Sequence, residues 1–287
     1  MKCACLHRHR GQFPLTVMCR VLAVRRSSYY AWRRERPSRR RGENATLVAR
    51  IRAVYAASDQ TYCSPRIQQE LQHQGLVVGR HRIARLMRAS GLWAVSRRRW
   101  RPTPRRAAAR PAPVPDRLQR AFGVRGPDQV WATDLTYVAT HAGWLYLAVV
   151  LDVGTRRVIG WAMARHLGDT LAIAALTMAL GRRQVRPGLL HHSDQGRQYT
   201  SHRYQALLHQ HGLLASMSRV GECWDNAVAE SFFATLKCER LHRCPYPTPE
   251  AAQHDIVRYI EGWYNPRRRH SALQYLSPME YEEQWAA

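Results

Sequence analysis

Three carboxylates stand in settings that suit metal-assisted phosphoryl chemistry: Asp134 in WATDLTYV, Asp194 in HHSDQGRQY and Glu230 in CWDNAVAESFF. Asp134 lies in an alternating apolar stretch (Val130, Ala132, Leu135, Tyr137) flanked by Trp131 and Thr136, a pattern that predicts a strand. Asp194 follows the short apolar run Leu189-Leu190 and precedes a glycine, Gly196, at the end of a second strand. Glu230 falls in Ala227 to Cys238, a stretch of helix-forming residues without Gly or Pro, so it projects from a helix. Two strand carboxylates and one helix carboxylate can converge on divalent ions. Hard cations such as Mg²⁺ prefer oxygen ligands and keep positions open for phosphate oxygens. A pair of such ions about 4 Å apart can stabilise both the attacking and the leaving oxygen of an in-line displacement.

The elements that must position these groups alternate between strand and helix. The Asp134 strand is followed by Trp144 to Asp152 and Val158 to Ala164, strands of a meander turned at Gly154-Thr155-Arg156. A helix from about Asp169 to Leu180 precedes the Asp194 strand. A helix from about His202 to His211, a strand from Leu213 to Met217, the Glu230 helix and a last helix from Pro249 to Trp263 follow. This predicts an α/β body with a mixed sheet covered on both faces. Asp152 ends a strand and is expected to accept hydrogen bonds in the following turn. Asp225 and Asn226 are expected to cap the Glu230 helix. One of His191 and His192 should face the core, the other the substrate side. Trp224 suits either base stacking or helix packing.

Charge divides the chain. Residues 1–127 hold 29 Lys+Arg against 5 Asp+Glu, a net of +24, whereas residues 128–287 hold 16 against 15, a net of +1. Coding bias explains why 43 of the 45 basic residues are Arg, but not why acids are scarce in one half. A basic module joined to a near-neutral one reads as a nucleic-acid grip on a catalytic body.

Within the basic half, Leu15, Met18, Cys19 and Leu22 recur at helical spacing, and Ser27 or Ser28 can cap a second helix through Tyr29, Tyr30 and Trp32. The Cys3, Cys5, His7, His9 run is too close-spaced for a zinc finger, and an exposed, disordered start is expected. An Arg-rich break at Arg39, Arg40 and Arg41 closes a first segment, residues 1–44. Residues 45–92 form a second unit, with an apolar stripe at Leu47, Ile51, Val54 and Tyr55, a helix start at Ser64-Pro65 and a stop at Gly75. Its last helix sets Ile83, Leu86 and Met87 against Arg80, Arg82, Arg85 and Arg88, the division of faces a recognition helix in a DNA groove needs. Residues 93–127, with six of the fifteen prolines, predict an extended linker, and 128–287 the catalytic core. Seven cysteines without CxxC spacing and the lack of a signal peptide fit a reduced cytoplasmic setting. The apolar stretches Leu145 to Leu151 and Leu171 to Leu180 are too short to span a bilayer, so no membrane partner is expected.

Between Asp134 and Asp194 lie 59 residues, and between Asp194 and Glu230 lie 35. That spacing resembles the DD(35)E core of retroviral integrases and insertion-sequence transposases. The runs VWATDLTYV, YLAVVLDV, RRVIGWAM, HHSDQGRQYTS, SMSRVGECWDNAVAESFFATLK and YNPRRRHSALQYLSP, in this order, resemble the second reading frame of the insertion-sequence-three family, from about Leu15 to the C-terminus. The resemblance implies a ribonuclease-H-like core behind helix-turn-helix modules, acting as a DNA transposase that cleaves and joins strands. It implies Asp134, Asp194 and Glu230 as ligands of Mg²⁺ or Mn²⁺, two ions in all. Double-stranded DNA (element ends and target), further copies of the chain on DNA and an upstream-frame protein or fusion are the implied partners. Lys237, two helical turns beyond Glu230 and one of only two lysines, would contact end DNA, and Arg267, Arg268 and Arg269 would form a DNA-facing cluster. The chain departs from the family's TYGxxRI wording by carrying Cys63 after Thr61-Tyr62, which bears on the local turn. Two rival readings are a transposase-derived regulator without catalysis, opposed by the complete triad, and a ribonuclease-H-like nuclease without strand transfer, opposed by the helix-turn-helix modules.

Overall fold

The computed structural model describes residues 1–34, 39–95, 114–121, 123–218 and 226–286. The chain opens with three short helices, α1 (Lys2–Arg8), α2 (Leu15–Val21) and α3 (Arg26–Arg33). Leu6, Cys19 and Tyr29 form their small core, and His7 meets the Trp32 ring edge-on at 5.6 Å. The expected disordered start is therefore a helix, because Leu6 completes an apolar cluster too small to form without it. Ser27 and Ser28 lie inside α3 rather than at its cap, which Arg25 occupies without a side-chain bond.

The second unit is a three-helix module, α4 (Arg39–Ala57), α5 (Ser64–His73) and α6 (Arg80–Ala89). Leu47, Ile51, Val54, Ile67, Leu71, Ile83, Leu86 and Met87 make its core. The Arg39 to Arg41 break is instead the first turn of α4, where Arg39 pairs with Glu43 one turn on at 3.0 Å. Pro65 sits in the first turn of α5, and Gly75 ends it at φ +79°, a left-handed conformation that a side chain would disfavour. Cys63 precedes α5 with φ −85° and ψ 168°, ordinary extended backbone, so no glycine is required there.

The body is a five-stranded sheet, β1 (Val130–Thr140), β2 (Gly143–Asp152), β3 (Val158–Ala164), β4 (Leu190–Ser193) and β5 (Leu214–Met217), in the spatial order β3-β2-β1-β4-β5. The first three strands form an antiparallel meander, β4 runs parallel to β1, and β5 runs parallel to β4. With helices on both faces this is the ribonuclease-H-like topology. On one face, Trp131, Ala148 and Val150 pack against α7 (Asp169–Arg182) and α8 (His202–Gln210). On the other, Val130, Ala132 and Val138 pack against α9 (Ala227–Leu236) and α10 (Pro249–Tyr259). The alternation along β1 is the cause: odd positions meet one helical layer and even positions the other. Gly160 lets α7 settle on β3, since a Cβ there would lie 2.2 Å from the Ala175 carbonyl oxygen. A short α11 (Pro278–Ala286), absent from the sequence-based expectation, closes the chain.

The proline-rich linker does not stay free along its whole length. Leu118 is buried in the core, and the Arg117 N–H donates to Ser216 Oγ at 2.9 Å. Residues 96–113 lie outside the described residues. The three-helix module rests on the C-terminal helices of the body. Tyr62 packs on Trp263, Arg66 Nε donates to the Arg269 carbonyl at 3.0 Å, and Arg240 and Arg243 both reach Asp59. Among the described residues no helix is long and apolar enough to cross a membrane.

Candidate active site

Asp134 sits mid-strand on β1, Asp194 in the turn just past β4, and Glu230 in the first turn of α9. Their approach follows from the topology. Strand β4 pairs with β1 only through Val130 to Ala132, so both carboxylates fall where the two strands part. The α9 helix crosses that opening and is tied to it by Asn226, whose Nδ2 donates to the Thr133 carbonyl at 3.0 Å. Asn226 thus occupies the N-cap position without capping the helix, and serves instead as a strap between α9 and β1. Its buried Oδ1 has no partner among the described residues. Asp225 and Trp224 lie outside the described residues. Nothing in the sequence distinguished Asn226 from an ordinary helix cap, because its partner is a backbone carbonyl 93 residues away.

Electrostatics mark the site. Burial, then the nearby Asp194 and Glu230 charges, push the Asp134 carboxyl up to about 7, against the Leu135 N–H and Lys237. Asp194 is raised by desolvation even though its Oδ1 accepts from the Gly196 N–H at 2.9 Å, and Glu230 is raised by desolvation as well. Lys237 follows α9 at the start of a π-helical turn, Lys237–Leu241. Burial lowers its ammonium, while the Asp134 charge opposes that shift. Its Nζ stands 5.4 Å from the centre of the Tyr137 ring. Among the described residues, no three His, Cys, Asp or Glu side chains are already drawn together as ligands of one ion. The donor set nevertheless suits hard cations: burial and then the Asp194 and Glu230 charges raise Asp134, a burden that bound positive charge would relieve.

The rival groups have structural roles. Asp152 is fully buried, accepting from the Asp128 and Thr155 N–H groups at 2.6 and 2.8 Å, with its carboxyl raised by burial to about 6. Both histidines face inward. His191 Nε2 meets the Tyr204 hydroxyl at 3.1 Å, and His192 lies between Ser216 and Ser218.

The expected DNA-facing arginines divide. Arg80, Arg85 and Arg88 are exposed on α6, but Arg82 is held by Asn44 Oδ1 at 2.8 and 3.0 Å. In the Arg267–Arg269 run only Arg267 is exposed. Arg268 and Arg269 are a correction to the sequence reading. Arg268 is 3% exposed and bonds Glu239 through two nitrogens, at 2.6 and 2.8 Å. Arg269 bridges Glu70 of the three-helix module and Glu280 of α11, at 2.9 and 2.7 Å. Acidic partners distant in sequence enclose both, so neither presents its charge to solvent.

Fold and site together define an integrase-type catalytic body behind a helix-turn-helix-like module. Residues 124–223 and 211–278 match the integrase core domain, and residues 43–100 match the HTH-like domain. The chain is 41% identical over 286 residues to transposase InsF for insertion sequence IS3fB of Escherichia coli K12, covering 99% of each. It is also 41% identical over 268 residues to a 31 kDa protein of insertion element IS600 from Shigella sonnei, covering 93% of this chain and 98% of that one. The chain belongs to the IS3 family of insertion-sequence transposases. Among solved structures it is similar to the HTLV-2 integrase catalytic core in complex with magnesium, at 15% identity and TM-score 0.39, covering 55% of this chain and 97% of that one. It is likewise similar to the BIV integrase catalytic core, at 19% identity and TM-score 0.41, covering 55% and 96%.

Proposed function

We propose that this transposase cuts the phosphodiester at each end of its element and joins the freed 3′-hydroxyl to a second phosphodiester, with Asp134, Asp194 and Glu230 as the reacting centre. The observation that carries this reading is the electrostatic grouping of the three carboxylates where β1 and β4 part, with Lys237 as the adjoining cation. The carboxylates would hold Mg²⁺ or Mn²⁺, two ions in all; when bound, these activate the attacking oxygen and stabilise the leaving one.

The chain's own residues supply the remainder. Asn226 holds the Glu230 helix against the Asp134 strand, which fixes the separation of two of the carboxylates. Lys237 offers a compact positive charge to a backbone phosphate beside the reacting one. Arg80, Arg85 and Arg88 present a basic edge of α6 to duplex DNA, where contacts to phosphate fix position and contacts to base edges give sequence preference. In the first displacement a water oxygen bonds to phosphorus and the O3′ leaves, taking a proton to become the 3′-hydroxyl. In the second, that hydroxyl oxygen gives up its proton and bonds to the target phosphorus, and another O3′ departs, taking up a proton. Two ends must be held at once, so at least two copies of the chain assemble on DNA, and an upstream-frame protein or fusion adds end-binding surface.

Asp194→Ala tests the assignment. It should bind element-end duplex as the parent does, yet neither nick nor join it with Mg²⁺ or Mn²⁺ present. Its melting temperature without metal should not fall, because removing one of several mutually repelling carboxylates relieves strain in the apo site. Strand transfer at the parental rate, with the upstream frame supplied, would reassign the centre.

A further inference from the structure

The β1–β2 hairpin runs past the rest of the sheet, since β4 pairs with β1 no farther than Ala132 while β1 continues to Thr140. The face that α7 and α8 cover at its base is bare farther out. There it presents Tyr137 and Trp144, 61% and 52% exposed. Tyr137 pairs across the strands with Tyr146, and Trp144 with Ala139, so the two rings are diagonal neighbours on one face. They meet edge to face with centroids 5.3 Å apart, and both rings stay more than half exposed. The Lys237 ammonium adjoins the Tyr137 ring, and the same ammonium senses the Asp134 charge. Tyr137 follows Asp134 by three residues, about 10 Å along a strand at roughly 3.4 Å per residue and on the opposite face of β1; Lys237, which neighbours both, links the two past the edge of β1 that β4 leaves unpaired.

We propose that Tyr137 and Trp144 form a stacking platform for an unpaired base of the DNA strand next to the reacting phosphodiester. Three features select this occupant over a protein segment or a lipid. Among the described residues Tyr137 and Trp144 are the exposed large apolar side chains of the hairpin, both aromatic; the adjoining charge is a cation suited to a phosphate; and the offset from Asp134 is the span of a few nucleotides. Every base has a face that stacks on such rings, so the platform holds a strand without reading its sequence. Bases within an intact duplex already stack on one another and offer no free face. The platform therefore engages only a nucleotide that has left the helix, and would hold the strands apart beside the carboxylates. The inference rests on the proposed carboxylate centre for its location, but not for its test.

The test uses the full chain in a chelating buffer, so that nothing is cut. The probe is a short duplex carrying the terminal sequence of the encoding element, with a few unpaired nucleotides that include 2-aminopurine. A fully paired duplex of the same sequence is the control. Binding to the parent should quench the 2-aminopurine through stacking. Trp144→Ala and Tyr137→Ala should each weaken binding of the forked probe by about tenfold, the usual effect of losing one aromatic stack, and reduce the quench. Binding of the paired control should stay within about twofold. Trp144→Phe and Tyr137→Phe should restore most of the affinity. Both positions are exposed, so unchanged melting temperatures should accompany these effects. Absent quenching in the parent, equal losses on the two probes, or no loss in the alanine variants overturns the platform. An Asp194→Ala protein that still cuts DNA overturns the carboxylate assignment, whereas the quench reads the platform independently.

Discussion

Arg268→Ala separates a structural arginine from a DNA-binding one. In the parent, Arg268 is 3% exposed, donates to both oxygens of Glu239 at 2.6 and 2.8 Å, and lies 5.8 Å from the centre of the Tyr264 ring. Burial alone would raise Glu239; Arg268 and the Tyr259 hydroxyl outweigh it and hold the carboxyl below its usual range. The substitution leaves Glu239 in the interior with the Tyr259 hydroxyl at 2.8 Å as its remaining side-chain hydrogen bond among the described residues. Stranding one member of a buried pair costs roughly 3–5 kcal/mol. At about 2–4 °C per kcal/mol for a body of this size, the melting temperature should drop by about 6–20 °C. Sign and pH window follow from the carboxyl. A group depressed in the folded state contributes stability that is full above its unfolded pKa, about 4.3, and is lost as pH falls through the folded value. In the variant, burial without the arginine raises Glu239, so the deficit is largest near neutral pH and shrinks as acid protonates the carboxyl. Thermal melts of parent and variant from pH 4 to 8, without DNA, measure this. Glu239→Leu combined with Arg268→Met should recover most of the loss, since apolar replacements of a buried pair are often neutral. Exposed Arg267→Ala should move stability by no more than about 0.5 kcal/mol. A melting temperature of Arg268→Ala within about 2 °C of the parent, coupled to weakened DNA binding, would refute this placement and return Arg268 to the DNA-facing surface.

Three further outcomes are expected. Gly160→Ala forces a methyl group toward the Ala175 carbonyl and should destabilise the body by about 1–3 kcal/mol, read by chemical denaturation; parental stability would mean that α7 does not rest on β3 as described. His191 is pushed by burial down to about 3, so it stays neutral in the fold while the unfolded chain takes up a proton near pH 6.5. Its contribution is whole above pH 6.5 and falls with pH by up to about 1.4 kcal/mol per unit toward 3, so His191→Gln should flatten the stability–pH curve there, as denaturation series will show. Arg85→Ala and Arg88→Ala should each reduce the slope of log affinity against log salt for duplex DNA by about 0.9, whereas Arg82→Ala, whose guanidinium is held by Asn44, should change it less; equal slopes for all four proteins would remove α6 from the interface.

Much of the architecture is written locally. The alternation of Val130 to Val138 marks β1 as a strand, because successive side chains must point to opposite layers, both of them covered over Val130 to Thr133. The Ser64-Pro65 start and the Gly75 stop bound α5 through backbone preferences that belong to those residues alone. The three proposed carboxylates are legible for a similar reason, since each stands in or beside a short stretch with its own local pattern. Partners far along the chain could not be read this way. Arg267, Arg268 and Arg269 look alike in sequence; Glu239 and Glu280, from elements folded beside them, together with Glu70 of the three-helix module, decide that only the first faces solvent. Asn226 carries the same cap preference at any helix start, and only the early parting of β4 from β1 gives it the Thr133 carbonyl to bind. Arg39 to Arg41 suggested a break because like charges repel, yet helix propagation and the Glu43 pairing carry α4 through them. Leu118 sits among prolines that promise an extended strand, and only the assembled sheet supplies the apolar surface that captures it. The sequence thus determined most of the elements and the chemical types of their residues, because propensity and alternation act over a few neighbours. The tertiary structure decided which charges are buried against each other, because that depends on groups brought together from as far as 199 residues apart, as Glu70 and Arg269 are.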